Sequence, residues 1–113
     1  MKSMKKIRRH YDTFTIAGFT YWDGCIVLDQ LKIGKELSLV LEDENKFDAY
    51  AVAIYFGEHK LGYIPRGANR EISKFLEMGY NDIFEVRINR ITPEAEPEGQ
   101  VGIIVYIKSA IKI

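Results

Sequence analysis

The feature that most constrains this chain is a pair of apolar, strand-like runs joined by one polar turn, between Glu36 and Phe56. Leu37, Leu39 and Leu41 alternate with Glu36, Ser38, Val40 and Glu42, the period of two that turns one face of a strand toward a core. Ala51 to Phe56 reads as the partner strand, and the connection carries Asn45-Lys46-Phe47-Asp48. Asn45 and Asp48 can each hydrogen-bond backbone two or three residues on, so one reading is an Asx-type turn that reverses the chain. A loop that holds polar side chains between strands is also a usual place for a site, and that is the other reading.

Similar patterns recur on both sides. Tyr11 to Ala17 is expected to be a first strand with Phe14 and Ile16 facing inward, ended by Gly18. Gly57-Glu58 joins Ala51–Phe56 to His59–Ile64 as a tight hairpin. Phe84, Val86 and Ile88 alternate with Glu85, Arg87 and Asn89, and Val101 to Ile107 is a continuous apolar run suited to a closing strand. Between them, Pro65 stops a strand and Asn69 stands where a helix N-cap would. Ile72, Phe75 and Leu76 recur at helical spacing, and Gly79 follows as a C-cap. Cys25 to Leu31 is an apolar stretch whose Ile26, Leu28 and Leu31 are expected to pack inward, with Cys25 as a small buried residue.

Six strand-like segments and one clear helix indicate a mainly β fold: a small β-barrel of about six strands, closed or nearly closed, with one or two helices as a cap. At 113 residues the chain is a single domain. That domain is expected over 11–113, preceded by a basic arm over 1–10. The arm's charges are not followed by an apolar segment, so neither a signal peptide nor a membrane span is expected. The single cysteine excludes an internal disulfide and fits a reducing cytoplasm. His10 and His59 have no Cys or His clustered near them in the sequence, which argues for solvated histidines and against a zinc site. No cofactor is expected.

Formal charge is zero, but it is unevenly placed. Of sixteen Lys and Arg, five lie in the first nine residues, so from His10 onward eleven face sixteen acids and the body is net negative by five. Long phosphate backbones are held by basic grooves, because affinity there comes from neutralising many charges. A body of this charge suits one chain end better than a long tract. The segment 92–100 has two prolines and three glutamates and is expected to be an exposed acidic loop.

Phe19-Thr20-Tyr21-Trp22-Asp23-Gly24 places three aromatics beside a turn-forming Asp-Gly. Strand alternation would send Phe19 and Tyr21 to one side and Trp22 to the other, so all three cannot be core. Exposed rings beside a barrel can stack on nucleobases, each stack contributing about 1–3 kcal/mol. The competing reading is that Phe19 and Trp22 plug one end of the barrel.

The run Gly34…Leu37…Leu39…Glu42…Asn45-Lys46-Phe47-Asp48-Ala49…Ala51-Val52-Ala53-Ile54, followed by Lys60-Leu61-Gly62-Tyr63-Ile64-Pro65, resembles the HIRAN domain family from about Phe14 to Leu76. The resemblance implies an OB-like β-barrel that binds the 3′-hydroxyl end of single-stranded DNA. It further implies a role in DNA repair or replication-related processing, and a helicase or nuclease as a partner. Carried over residue by residue, it implies stacking by Tyr21 and Phe47 and a hydroxyl contact by Asp48 supported by Asn45. Contacts to the adjoining strand are implied for Lys46, Tyr63 and Arg66. Without it, Tyr63 reads as a half-buried strand residue and Arg66 as a solvated one. Two positions depart from the family pattern: Thr20 stands where relatives can carry arginine, and Phe47 where tyrosine is frequent.

An enzyme finds little support, since the chain has no Gly-rich phosphate loop, nucleophile motif or metal-ligand spacing. Asp48 with His59 could be imagined as a hydrolytic pair, but no nucleophile or oxyanion donors accompany them. A protein- or peptide-interaction module remains the alternative to DNA binding, because exposed aromatics on an acidic body suit a peptide groove as well.

Overall fold

The computed structural model describes residues 7–110. Six strands form one antiparallel sheet: β1 (Arg8–Thr15), β2 (Glu36–Leu41), β3 (Val52–Phe56), β4 (His59–Tyr63), β5 (Phe84–Ile91) and β6 (Val101–Lys108). Their order across the sheet is β1-β6-β5-β2-β3-β4. Among the described residues one α-helix, α1 (Arg70–Glu77), follows β4. The fold is mainly β and OB-like, as expected.

Strand patterning explains the core. Leu37 and Leu39 of β2, Phe84, Val86 and Ile88 of β5, and Val101, Ile103 and Val105 of β6 are buried. Phe14 and Ile16 join them from the β1 side. The ladder breaks register between His10 and Asp12 in β1, between Ile54 and Tyr55 in β3, and between Ile88 and Arg90 in β5. Such bulges add twist and coil a sheet.

The sheet is not a closed ring, because β1 and β4 do not form a continuous ladder. They meet through one bridge just beyond β1: Ala17 N–H donates to Tyr63 O at 2.9 Å and Tyr63 N–H to Ala17 O at 2.8 Å. Gly62 permits that approach. Its φ is 150°, and a Cβ there would lie 2.4 Å from the Ala17 carbonyl oxygen.

Several local expectations need correction. β1 begins at Arg8, so Arg8 to His10 are strand residues paired to Tyr106–Lys108 of β6, and only residues 1–6 of the anticipated arm lie outside the described residues. Residues 111–113 also lie outside the described residues. Residues 19–30 form three 3₁₀ turns, Phe19–Tyr21, Asp23–Cys25 and Leu28–Gln30. Three residues per turn rotate successive side chains by about 120°, not 180°, so strand alternation fails there. Phe19 is buried while Tyr21 and Trp22 are exposed. Val27 and Leu31 pack inward, whereas Ile26 points to solvent and Cys25 is exposed. The helix buries Ile72, Ser73 and Leu76. Phe75 is 41% exposed, its ring edge-on to that of the buried Phe84 with centroids 6.0 Å apart.

Candidate functional site

The Asx turn forms as its residues require. Asn45 Oδ1 accepts from the N–H groups of Phe47 at 2.8 Å and Asp48 at 3.0 Å. Asp48 Oδ1 then accepts from Tyr50 N–H at 2.9 Å. These local bonds occupy the polar edges of the loop and leave the Phe47 ring with nowhere to pack, so it is 86% exposed. The turn reading and the site reading therefore describe the same loop.

The 3₁₀ turn after Gly18 projects Tyr21, which is 80% exposed. Tyr21 and Phe47 both line a cleft of about 580 Å³. Six of the seven anticipated residues line it: Tyr21, Asn45, Phe47, Asp48, Tyr63 and Arg66. Lys46 does not; it is exposed and lies outside the cleft. Ala17, Ala51 and Ile64 contribute apolar wall, and Trp22 joins the rim.

Asp48 is oriented from three directions. Asn69 Nδ2 donates to its Oδ2 at 2.9 Å, and Arg66 Nε stands 3.6 Å from the same oxygen. Arg66 Nη2 donates to Phe47 O at 2.7 Å, tying the helix-side segment to the loop. Asn69 occupies the position before α1 but makes no side-chain cap: its backbone is already helical, with φ −97° and ψ −12°, and its amide donates to Asp48. Residue type and spacing made a cap the obvious reading. The true partner is 21 residues away, and nothing local signals it.

A second group missed in the sequence lies behind the cleft wall. Glu42 accepts from Asn45 Nδ2 at 3.1 Å and Tyr63 Oη at 2.9 Å through one oxygen, and from Lys60 Nζ at 2.6 Å through the other. The Lys60 ammonium sits 3.7 Å from the Trp22 ring centre and 4.6 Å from that of Tyr63. Burial pushes the Glu42 carboxyl up, but the hydrogen bonds from Lys60, Asn45 and Tyr63 and the Lys60 charge outweigh it and hold the group below the usual carboxylate range. For Lys60, burial acts downward, while the contacts with Glu42 and Tyr63 raise it overall. Burial, reinforced by Glu42, raises the Tyr63 phenol.

His59 Nδ1 lies 3.1 Å from Asp23 Oδ2, which removes it from any pairing with Asp48. Among the described residues no group of three or more His, Cys, Asp or Glu is placed to hold a metal ion, and no helix is long and apolar enough to cross a membrane. The cleft can offer stacking surface, a partly recessed carboxylate and one exposed guanidinium.

Three comparisons bear on this arrangement. No curated protein matches the chain. A crystal structure of a protein from Lactobacillus plantarum superposes with a TM-score of 0.77 at 21% identity, covering 93% of this chain and 99% of that chain. A likeness at that identity speaks to the fold alone. The HIRAN domain family model matches residues 12–110, which spans all six strands except the first residues of β1, together with the whole cleft. The chain belongs to the HIRAN domain family, a family of nucleic-acid-binding modules.

Proposed function

We propose that this chain is a non-catalytic module that recognises the 3′-hydroxyl end of single-stranded DNA in the cleft between Tyr21 and Phe47. The observation that carries the reading is that two exposed rings, Tyr21 and Phe47, line one cleft together with the recessed Asp48 carboxylate. Stacking of terminal bases on Tyr21 and Phe47 contributes about 1–3 kcal/mol each. An ionised carboxylate has about four acceptor sites. Tyr50 N–H and Asn69 Nδ2 use two of those on Asp48, leaving capacity for a hydroxyl donor.

The carboxylate also supplies discrimination. A phosphate about 4 Å from Asp48 would be repelled by about 4 kcal/mol at an effective dielectric constant near 20. A 3′-phosphorylated end or an internal linkage is therefore disfavoured relative to a free hydroxyl. Arg66, largely exposed, can pair with the phosphate next to the end, and Tyr63 shapes the wall beside it. Lys46 contacts the strand only beyond the cleft. Phe47 keeps the stacking face of the tyrosine common in the family and loses its hydroxyl contact. The net-negative body leaves affinity to these few groups, which favours a chain end over a long tract. Such a module would deliver 3′ ends to a helicase or nuclease during DNA repair or replication-related processing. An exposed free thiol at Cys25 is in keeping with a reducing cytoplasm.

The test compares 3′-hydroxyl and 3′-phosphate oligonucleotides by fluorescence anisotropy against wild type, Asp48→Ala and Tyr21→Ala. Wild type should prefer the hydroxyl end, Asp48→Ala should lose the preference, and Tyr21→Ala should lose affinity while keeping it. Equal binding of both ends by wild type would reject the mechanism and favour a peptide-binding module.

A further inference from the structure

Glu98 lies in the acidic segment between β5 and β6 and is exposed, yet both of its carboxylate oxygens are engaged by protein donors. Oε1 accepts from Gly18 N–H at 3.0 Å and Oε2 from Thr20 N–H at 2.8 Å, and the Thr20 hydroxyl donates to Oε2 as well. These donors belong to the turn that carries Tyr21. Hydrogen bonds from the Thr20 hydroxyl and from the backbone of Thr20 and Gly18 hold the Glu98 carboxyl below the usual carboxylate range, so the contact is charged at neutral pH.

The loop that presents Glu98 is itself anchored to the sheet. Arg90 Nη1 donates to Gly99 O at 2.8 Å and to Thr92 Oγ1 at 3.0 Å, while Nη2 reaches Thr15 Oγ1 at 2.8 Å. Gly102 on β6 makes room for this guanidinium: a Cβ there would lie 3.0 Å from Arg90 Nε. Thr92 N–H donates to Gln100 O at 2.8 Å, closing the base of the loop. A continuous path of bonds thus runs from β5 through Arg90 and Glu98 to the turn.

On the other side, Tyr21 N–H donates to Gly18 O at 3.0 Å within the turn itself. Its ring is exposed, and the turn begins at Gly18, whose φ of 73° lies in the left-handed region that favours glycine. Phe19 anchors the base of the turn beneath Gly24, where a Cβ would lie 2.4 Å from the Phe19 ring. The Ala17–Tyr63 bridge holds the segment just before Gly18, and Glu98 is the side chain that bonds Gly18 and Thr20 themselves.

We propose that Glu98 is a positioning residue for the Tyr21 side of the cleft, its carboxylate fixing the Gly18–Tyr21 turn so that Tyr21 and Phe47 face one ligand. This rests on the reading of the cleft as a stacking site. Thr20 takes part directly, since its hydroxyl donates to the same carboxylate as its backbone N–H.

Two measurements test it. Trp22 is the only tryptophan and adjoins Tyr21, so acrylamide quenching of its emission reads the turn with no ligand present. Glu98→Ala should lose protection from acrylamide, Thr20→Val should lose part of it, and Glu94→Ala on the same loop should match wild type. Unchanged quenching in Glu98→Ala overturns the proposal whatever the cleft binds. The second measurement is a double-mutant cycle on binding of a 3′-hydroxyl oligonucleotide. Tyr21→Ala should weaken binding about tenfold, corresponding to one lost stack. Glu98→Ala should weaken it several-fold in the wild-type background and not at all in the Tyr21→Ala background, since a residue acting through another is non-additive with it. Additive losses would overturn the proposal. If wild type fails to bind the oligonucleotide, the stacking reading falls, and the quenching result still decides whether Glu98 holds the turn.

Discussion

Asn69 donates its side-chain amide to Asp48 at 2.9 Å, so the residue that precedes α1 orients the carboxylate of the cleft, and its side chain makes no cap on the helix. Asn69 is 2% exposed, and its bond is therefore shielded from water. The helix start is tied instead by Ser73 N–H donating to Asn69 O at 2.9 Å.

Asn69→Leu is expected to cost about 1–3 kcal/mol, because it withdraws a buried donor from a charged acceptor. Urea denaturation measures that loss. On the proposed function, the same variant should reduce the preference for a 3′-hydroxyl end while keeping affinity for single strands.

Gly62→Ala should disrupt the bridge between Ala17 and Tyr63. The added Cβ meets the Ala17 carbonyl oxygen at 2.4 Å and Ile16 Cγ2 at 2.6 Å, at a backbone φ of 150°. Overpacking of this kind costs about 1–3 kcal/mol. Slowed-exchange amides at Ala17 and Tyr63 should become exchangeable before the rest of the sheet, which hydrogen exchange can read directly.

Glu42 has a lowered folded-state carboxyl, so its contribution is present above the usual carboxylate range and is lost as pH falls through the lower folded value. Lys60 is raised, so its contribution persists below the usual lysine range and disappears only as pH rises through the higher folded value. Glu42→Gln should therefore be less stable at neutral pH, by about 1–3 kcal/mol, since Lys60 loses its charged partner. Its stability should also fall less steeply on acidification than that of wild type. Urea midpoints measured across the acid range check both statements.

Arg66→Ala should reduce the salt dependence of oligonucleotide binding by about one phosphate contact. Deleting residues 1–6 removes Lys2, Lys5 and Lys6 and should weaken binding and flatten its salt dependence further, while the end preference stays. Loss of the end preference on that deletion would place the site elsewhere.

Leu39→Ala tests the core through the β2 pattern. Leu39 is buried in the main cluster, and truncating such a leucine costs about 2–5 kcal/mol. A cost near zero in urea denaturation would contradict the packing described.

Short-range chemistry was legible in the sequence. Period-two runs placed Leu37, Leu39, Val86 and Ile88 inside, and the Asx residues Asn45 and Asp48 bonded the backbone two or three residues on, because both effects act within a few residues of chain. The family pattern then picked out residues that, with the exception of Lys46, share one cleft. Only the tertiary structure decided the rest. Tyr21 faces solvent and Phe19 the core because 3₁₀ geometry replaced the strand period, and Cys25 and Ile26 turned outward for the same reason. Asn69 left its helix for Asp48, Lys60 settled between Trp22 and Tyr63 against Glu42, and Glu98 bridged to Gly18 and Thr20. Each of these side chains chose between a local partner or water and a distant one. That choice depends on which groups the folded sheet brings within hydrogen-bonding reach, and sequence spacing does not carry it.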